Sequence, residues 1–126
     1  MASILLVEDD AMISRMLTLR LRMQGHAIET AENGRIGMEK TLAGAYDLVL
    51  MDMHMPEMDG HEAVRLLREQ GYRGKIAAVT ASAMSQDSQR AIAAGCDHYI
   101  SKPVGEDFEQ LVADILAGDR VCRSTP

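Results

Sequence analysis

The sequence predicts an α/β fold: a five-stranded parallel sheet with helices on both faces. Three observations carry this. Short, almost wholly apolar runs recur along the chain, stretches of helical length with an apolar side lie between them, and glycines fall where those stretches should stop. Strands covered on both faces read as unbroken apolar runs rather than as alternation. Right-handed crossovers then leave few topologies, and strand order 2-1-3-4-5 of a (βα)5 three-layer sandwich leads.

The elements follow in chain order. Ile4-Leu5-Leu6-Val7 is the first strand. Residues 11–24 form the first helix, capped by Asp10, with Ile13, Met16, Leu17 and Leu21 on its core side. Met12, Leu19 and Met23 widen that apolar arc, and Arg20 falls inside it and must snorkel. Ala27-Ile28, leading to Thr30, is the second strand, and residues 34–43 are a helix with a thin stripe and two glycines. Leu48-Val49-Leu50-Met51 is the third strand, and Asp59 caps the helix after it. Ile76-Ala77-Ala78-Val79 is the fourth, followed by a helix that Ser85 caps. His98-Tyr99-Ile100 is the fifth. The last helix carries Phe108, Leu111, Val112, Ile115 and Leu116 at i, i+3, i+4, i+7 and i+8. Gly25, Gly44, Gly71, Gly74, Gly95 and Gly118 end helices.

The 126 residues suit one domain over residues 1–118, with 119–126 read as a frayed tail. Thirteen Lys and Arg against nineteen Asp and Glu give a formal charge of −6, which disfavours direct binding to nucleic acid. No apolar run approaches the ~18 residues of a membrane span, and no secretory signal opens the chain. Cys96 and Cys122 form neither a CxxC pair nor a disulfide framework, so the expected setting is the cytoplasm. His26, His54, His61 and His98 lack a ligand pattern and read as surface residues.

In an open parallel sheet, ligands collect beyond the carboxyl ends of the strands. Glu8-Asp9-Asp10 follow the first strand, Asp52 ends the third, Thr80 the fourth, and Ser101-Lys102-Pro103 the fifth. Each has an ordinary alternative: the acidic run could cap a helix, Thr80 could be a turn residue and Lys102 a surface lysine. Their common placement at strand ends favours a shared site. Crowded carboxylates need a cation between them, and oxygen ligands alone select a hard ion such as magnesium, which shares its shell with phosphate. Lys102 and Thr80 then balance and hold a phosphoryl group. Asp52, on the central strand, is the candidate nucleophile for an acyl phosphate. A flavodoxin-like module binding nucleotide or flavin is the rival reading, but it wants a glycine- or hydroxyl-rich loop where Glu8-Asp9-Asp10 stand. A purely structural interaction domain is the third.

These residues resemble the receiver domains of response regulators in two-component signalling. The resemblance covers roughly residues 2–117. It rests on Ile4-Leu5-Leu6-Val7-Glu8-Asp9-Asp10, on the run Asp47-Leu48-Val49-Leu50-Met51-Asp52-Met53-His54-Met55-Pro56-Glu57-Met58-Asp59-Gly60, and on Val79-Thr80-Ala81, Ala94-Gly95-Cys96-Asp97 and Ser101-Lys102-Pro103. The family shares the flavodoxin-like strand order, so that order is not independent support. The resemblance implies that Asp52 is phosphorylated with Mg2+ held by Glu8, Asp9, Asp52 and the backbone carbonyl of His54. It implies that Thr80, Lys102 and the backbone N–H groups of Met53 and Ala81 grip the phosphoryl group, with a cis bond before Pro103. It also implies a switch in which Thr80 moves toward the phosphoryl group and Tyr99 rotates inward. A histidine kinase or histidine phosphotransfer protein would be the donor, and residues 82–115 would face the output partner. Both a stand-alone regulator and the receiver of a hybrid kinase fit the sequence.

Overall fold

The computed structural model describes residues 2–53, 60–80, 85–101, 105–118 and 122–123. Strands β1 (Ser3–Val7), β2 (Ala27–Ala31), β3 (Leu48–Asp52), β4 (Ile76–Thr80) and β5 (His98–Ser101) alternate with helices α1 (Ala11–Met23), α2 (Gly34–Ala43), α3 (Gly60–Glu69), α4 (Ser85–Ala94) and α5 (Phe108–Leu116). All pairings are parallel, in the order β2-β1-β3-β4-β5. A short β6 (Cys122–Arg123), which the sequence reading does not foresee, adds to the β5 edge through Tyr99↔Cys122 and Ile100↔Arg123.

Strand alternation splits the apolar residues between two faces. Ile4, Leu6, Leu48 and Leu50 pack under α1 (Leu17, Leu21) and α5 (Phe108, Leu111, Val112, Ile115). Leu5, Val7, Val49 and Met51 pack under α3 (Ala63, Val64, Leu67) and Ala91 of α4, with Ile36 and Met38 of α2 against them. The thin stripe of α2 has a physical reason: its buried surface is Gly34, Gly37 and Thr41. A side chain at Gly37 would collide with both γ-carbons of Val7, so this helix packs by backbone proximity.

The caps differ in part from the sequence reading. The Asp10 carboxylate accepts from the N–H groups of Met12 and Ile13 at 2.9 and 3.0 Å, as foreseen. Asn33, not singled out in the sequence, caps α2 through the N–H of Ile36 at 2.8 Å. Ser85 is the first residue of α4 itself, and Asp59 lies outside the described residues. His98 is buried rather than on the surface, because β5 is covered on both faces. His26 is half-buried and accepts the Ala2 N–H at 3.2 Å.

The apolar arc of α1 needs the main correction. Leu17 and Leu21 are fully buried, but Met12, Met16, Leu19 and Met23 are exposed. At 3.6 residues per turn these four fall within an arc of roughly 60°, opposite the buried leucines, so α1 carries two apolar stripes and only one faces the core. Arg20 is held between them. Its Nε and Nη2 donate to Glu109 at 2.7 and 2.5 Å, Nη2 also donates to the Gly105 carbonyl at 2.8 Å, and its guanidinium lies 5.3 Å from the centre of the Phe108 ring.

The hydrogen bond from Arg20 holds the Glu109 carboxyl below its ordinary value of 4.5. A depressed folded pKa stabilises the fold above that ordinary value and ceases to do so as pH falls through the folded one. Solvent screening limits the pair to about 0.5–1 kcal/mol. Glu109→Gln is therefore expected to lower the urea midpoint at pH 7, with the gap from wild type closing as pH drops below 4.5. An equal gap at acid and neutral pH would remove the ion pair as its cause.

Candidate functional site

Register assembles the acidic cluster. Val7 lies opposite Met51 in the parallel β1–β3 ladder, so the next residues, Glu8 and Asp52, emerge side by side at the carboxyl end of the sheet. Alternation turns both toward the side of Leu6 and Leu50. Asp9 leaves the strand and is exposed, whereas Glu8 and Asp52 are each 3% exposed. One carboxylate oxygen from each of Glu8, Asp9 and Asp52 lies within 4.8 Å of the others. Glu8 also accepts the Asp10 N–H at 3.2 Å, at the start of α1. Division of labour settles the capping alternative: Asp10 caps α1, while Glu8 and Asp9 belong with Asp52.

The donor set fits a hard divalent cation. Three carboxylates stand together, no His or Cys joins them among the described residues, and the exposed Asp9 leaves a side open to water. Magnesium takes such a site, through one or two carboxylates while keeping several waters. Cys96 is no rival nucleophile: it is buried, and burial pushes its thiol up to about 12, so it is protonated at neutral pH.

One of the implied donors is committed elsewhere in this arrangement. The Met53 N–H donates to the Val79 carbonyl at 3.0 Å, so the ladder continues one residue past β3 and commits that donor. Met53 is therefore not a phosphate donor in this arrangement, and its side chain is buried. Tyr99 is buried, in the cluster with Ala78, Ala91 and Cys96. Thr80 ends β4 opposite Ser101, which sets the end of β4 beside the chain leading to Lys102. The side chain of Thr80, and His54, Ala81, Lys102 and Pro103 with the bond before it, lie outside the described residues.

One functional position escaped the sequence reading. Gly60, named in the sequence only as the end of the run from Asp47, is the buried first residue of α3. A Cβ there would overlap the Asp52 carbonyl oxygen and stand 2.8 Å from Met53 Cα. The start of α3 thus presses on the backbone that carries Asp52, a contact no local pattern announces.

Residues 4–116 match the family model of the response regulator receiver domain. The chain is 39% identical over 112 residues to the two-component response regulator ORR41 of Oryza sativa subsp. japonica, covering 85% of this chain and 87% of the relative. It is 35% identical over 117 residues to the response regulator ArlR of Staphylococcus saprophyticus, 93% of this chain but 52% of ArlR, so it spans about half of that relative. The response regulator TrrA of Thermotoga maritima, solved in complex with Mg2+ and BeF, superposes with a TM-score of 0.78 at 32% identity, covering 91% of this chain and 96% of TrrA. No helix among the described residues is long and apolar enough to cross a membrane. Phosphorylation on aspartate with Mg2+ is the general function of such domains, and this chain belongs to the response regulator receiver family.

Proposed function

We propose that this receiver takes a phosphoryl group onto Asp52 from a phosphohistidine donor, a histidine kinase or histidine phosphotransfer protein, in the cytoplasm. The observation that carries the reading is the convergence of Glu8, Asp9 and Asp52 within 4.8 Å at the end of the central strand. An oxygen of Asp52 forms the new O–P bond as the donor's N–P bond breaks. The electron pair stays on the imidazole nitrogen, which is then reprotonated. Glu8, Asp9, Asp52 and the His54 carbonyl would hold Mg2+, Glu8 by way of water, and the ion would supply charge neutralisation at the phosphoryl oxygens. Thr80, Lys102 and the Ala81 N–H complete the grip on the phosphoryl group, and a cis bond before Pro103 aims Lys102. Positioning and charge account for the chemistry, so the domain catalyses only its own phosphorylation and the hydrolysis that resets it.

Residues 82–115 form the output face in this reading, with Thr80 as the switch residue beside them. Support comes from α4: Ala91 is its buried residue among those described, and Ile92 is exposed, so few apolar contacts anchor it. This reading fits a stand-alone regulator and, equally, the receiver of a hybrid kinase.

Incubation with acetyl phosphate, with and without Mg2+, followed by intact mass and hydrogen exchange, tests this. One added phosphoryl group is expected, formed faster with the metal, with exchange changing over residues 82–115. No mass gain, or a gain indifferent to Mg2+, would overturn the acceptor assignment, and unchanged exchange there would overturn the output face.

A further inference from the structure

Arg20 belongs to α1, the helix that follows Glu8 and Asp9, yet its guanidinium is bonded to the start of α5. Nε and Nη2 each take one oxygen of Glu109, and Nη2 also donates to the Gly105 carbonyl at 2.8 Å. The fully buried Phe108 ring backs the guanidinium. A planar fork makes three such bonds at once; a lysine ammonium is a point donor and does not match that geometry. Local anchoring at this end of α5 is weak. Its cap residue, Asp107, makes no side-chain bond to the helix, and the Phe108 N–H reaches the Gly105 carbonyl at 3.3 Å. Both side chains of the ion pair are 24% exposed, so the pair adds little to stability, and its larger consequence is geometric.

We infer that Arg20 is a positioning residue for phosphoryl transfer, holding the loop that carries Lys102 against the helix that follows Glu8 and Asp9. The inference rests on the reading of Lys102 as a phosphoryl ligand and adds what keeps that lysine in reach. Between β5 and Gly105 stand three residues, Lys102, Pro103 and Val104. Ser101 at one end is paired with Thr80, and Gly105 at the other is held by Arg20. A proline has a fixed φ, so so short a stretch has few ways to absorb a movement of either end. The two halves of the site also lack a direct backbone tie. β3 and β4 lie between β1, which leads to Glu8 and Asp9, and β5, which leads to Lys102. Arg20 joins them across the face where α1 and α5 pack, by bonds that span 85 and 89 residues of chain.

The test is a double-mutant cycle on the full chain, read as the initial rate of phosphoryl mass gain from acetyl phosphate with Mg2+. Arg20→Gln is expected to slow uptake about tenfold, and Lys102→Ala to slow it more. Adding Arg20→Gln to Lys102→Ala is expected to cost less than about twofold further, because no lysine is left to position. Calorimetry supplies a readout that lost stability alone would not move. Arg20→Gln should bind Mg2+ like the wild type, yet bind the phosphoryl mimic beryllofluoride about tenfold more weakly in its presence. Glu109→Gln controls for stability: it removes the ion pair but leaves the Arg20 bond to Gly105, so it should keep most of its uptake. Circular dichroism checks each fold, and Arg20→Lys, which keeps the charge without the fork, takes the place of Arg20→Gln if that variant unfolds. Wild-type uptake in the Arg20 variant, or full additivity in the cycle, would overturn the inference. So would uptake that falls in step with the urea midpoint in both the Arg20 and Glu109 variants. Wild-type uptake in Lys102→Ala is a separate outcome: it would overturn the reading of Lys102 itself and the inference with it.

Discussion

Asp52→Asn is expected to gain no phosphoryl mass at any Mg2+ concentration, while melting above the wild type in metal-free buffer. The two effects have one origin. Glu8, Asp9 and Asp52 bring carboxylate oxygens within 4.8 Å of one another, two of the three on buried residues. Without a cation their repulsion opposes folding, and removing one charge relieves it. Each kcal/mol regained should raise the melting temperature by roughly 3–5 °C in a domain of this size. Asp9→Asn separates the roles. It keeps the acceptor but loses a ligand, and since even an outer-shell partner costs 10–100-fold in metal affinity, a direct ligand should cost about tenfold or more. Its uptake from acetyl phosphate should therefore fail at low Mg2+ and recover at high Mg2+. Mg2+ should also raise the wild-type melting temperature through linkage, and that of either variant far less. Equal stabilisation of all three proteins by Mg2+ would mean that the ion binds elsewhere.

Much of this was legible because the sheet is buried on both faces. Unbroken apolar runs marked β1, β3 and β4, and the residue ending each run was then a statement about the site: Glu8 and Asp9 after β1, Asp52 at the end of β3. The bounds of α2 were legible, with Gly44 marking its stop, although its packing by backbone was not. What stayed hidden depended on which partner a residue meets. Periodicity shows that α1 has two apolar arcs but cannot say which is covered, and the wider arc was wrongly read as one core face. The Met53 N–H looked available for phosphate because nothing local reveals that Val79 extends the ladder to it. Tyr99 and His98 were placed by the helices over β5, which a strand pattern does not encode.

Gly60→Ala is the substitution in which packing and chemistry should fail together. The added methyl would overlap the Asp52 carbonyl oxygen and lie 2.8 Å from Met53 Cα, both backbone groups at the end of β3 that the ladder to Val79 of β4 holds. Neither can yield as a flexible side chain would, so α3 must shift or the end of β3 must tilt. Alanine is the better helix former by about 1 kcal/mol, which makes the direction of the effect diagnostic. Overpacking of this kind typically costs about 1–3 kcal/mol, enough to outweigh that gain. A tilt at Asp52 also moves its carboxylate relative to Glu8 and Asp9, and a misplacement near 1 Å can cost about 100-fold in rate. The expected result is a lower urea midpoint together with slower uptake from acetyl phosphate that added Mg2+ does not restore. Gly25→Ala is the control: Gly25 follows the end of α1 at positive φ, nothing lies within 4 Å of its Cβ position, and it is remote from Asp52 in the chain. It should lose some stability yet keep wild-type uptake. If Gly60→Ala stabilised the protein and left uptake unchanged, the α3 contact would have no part in holding Asp52.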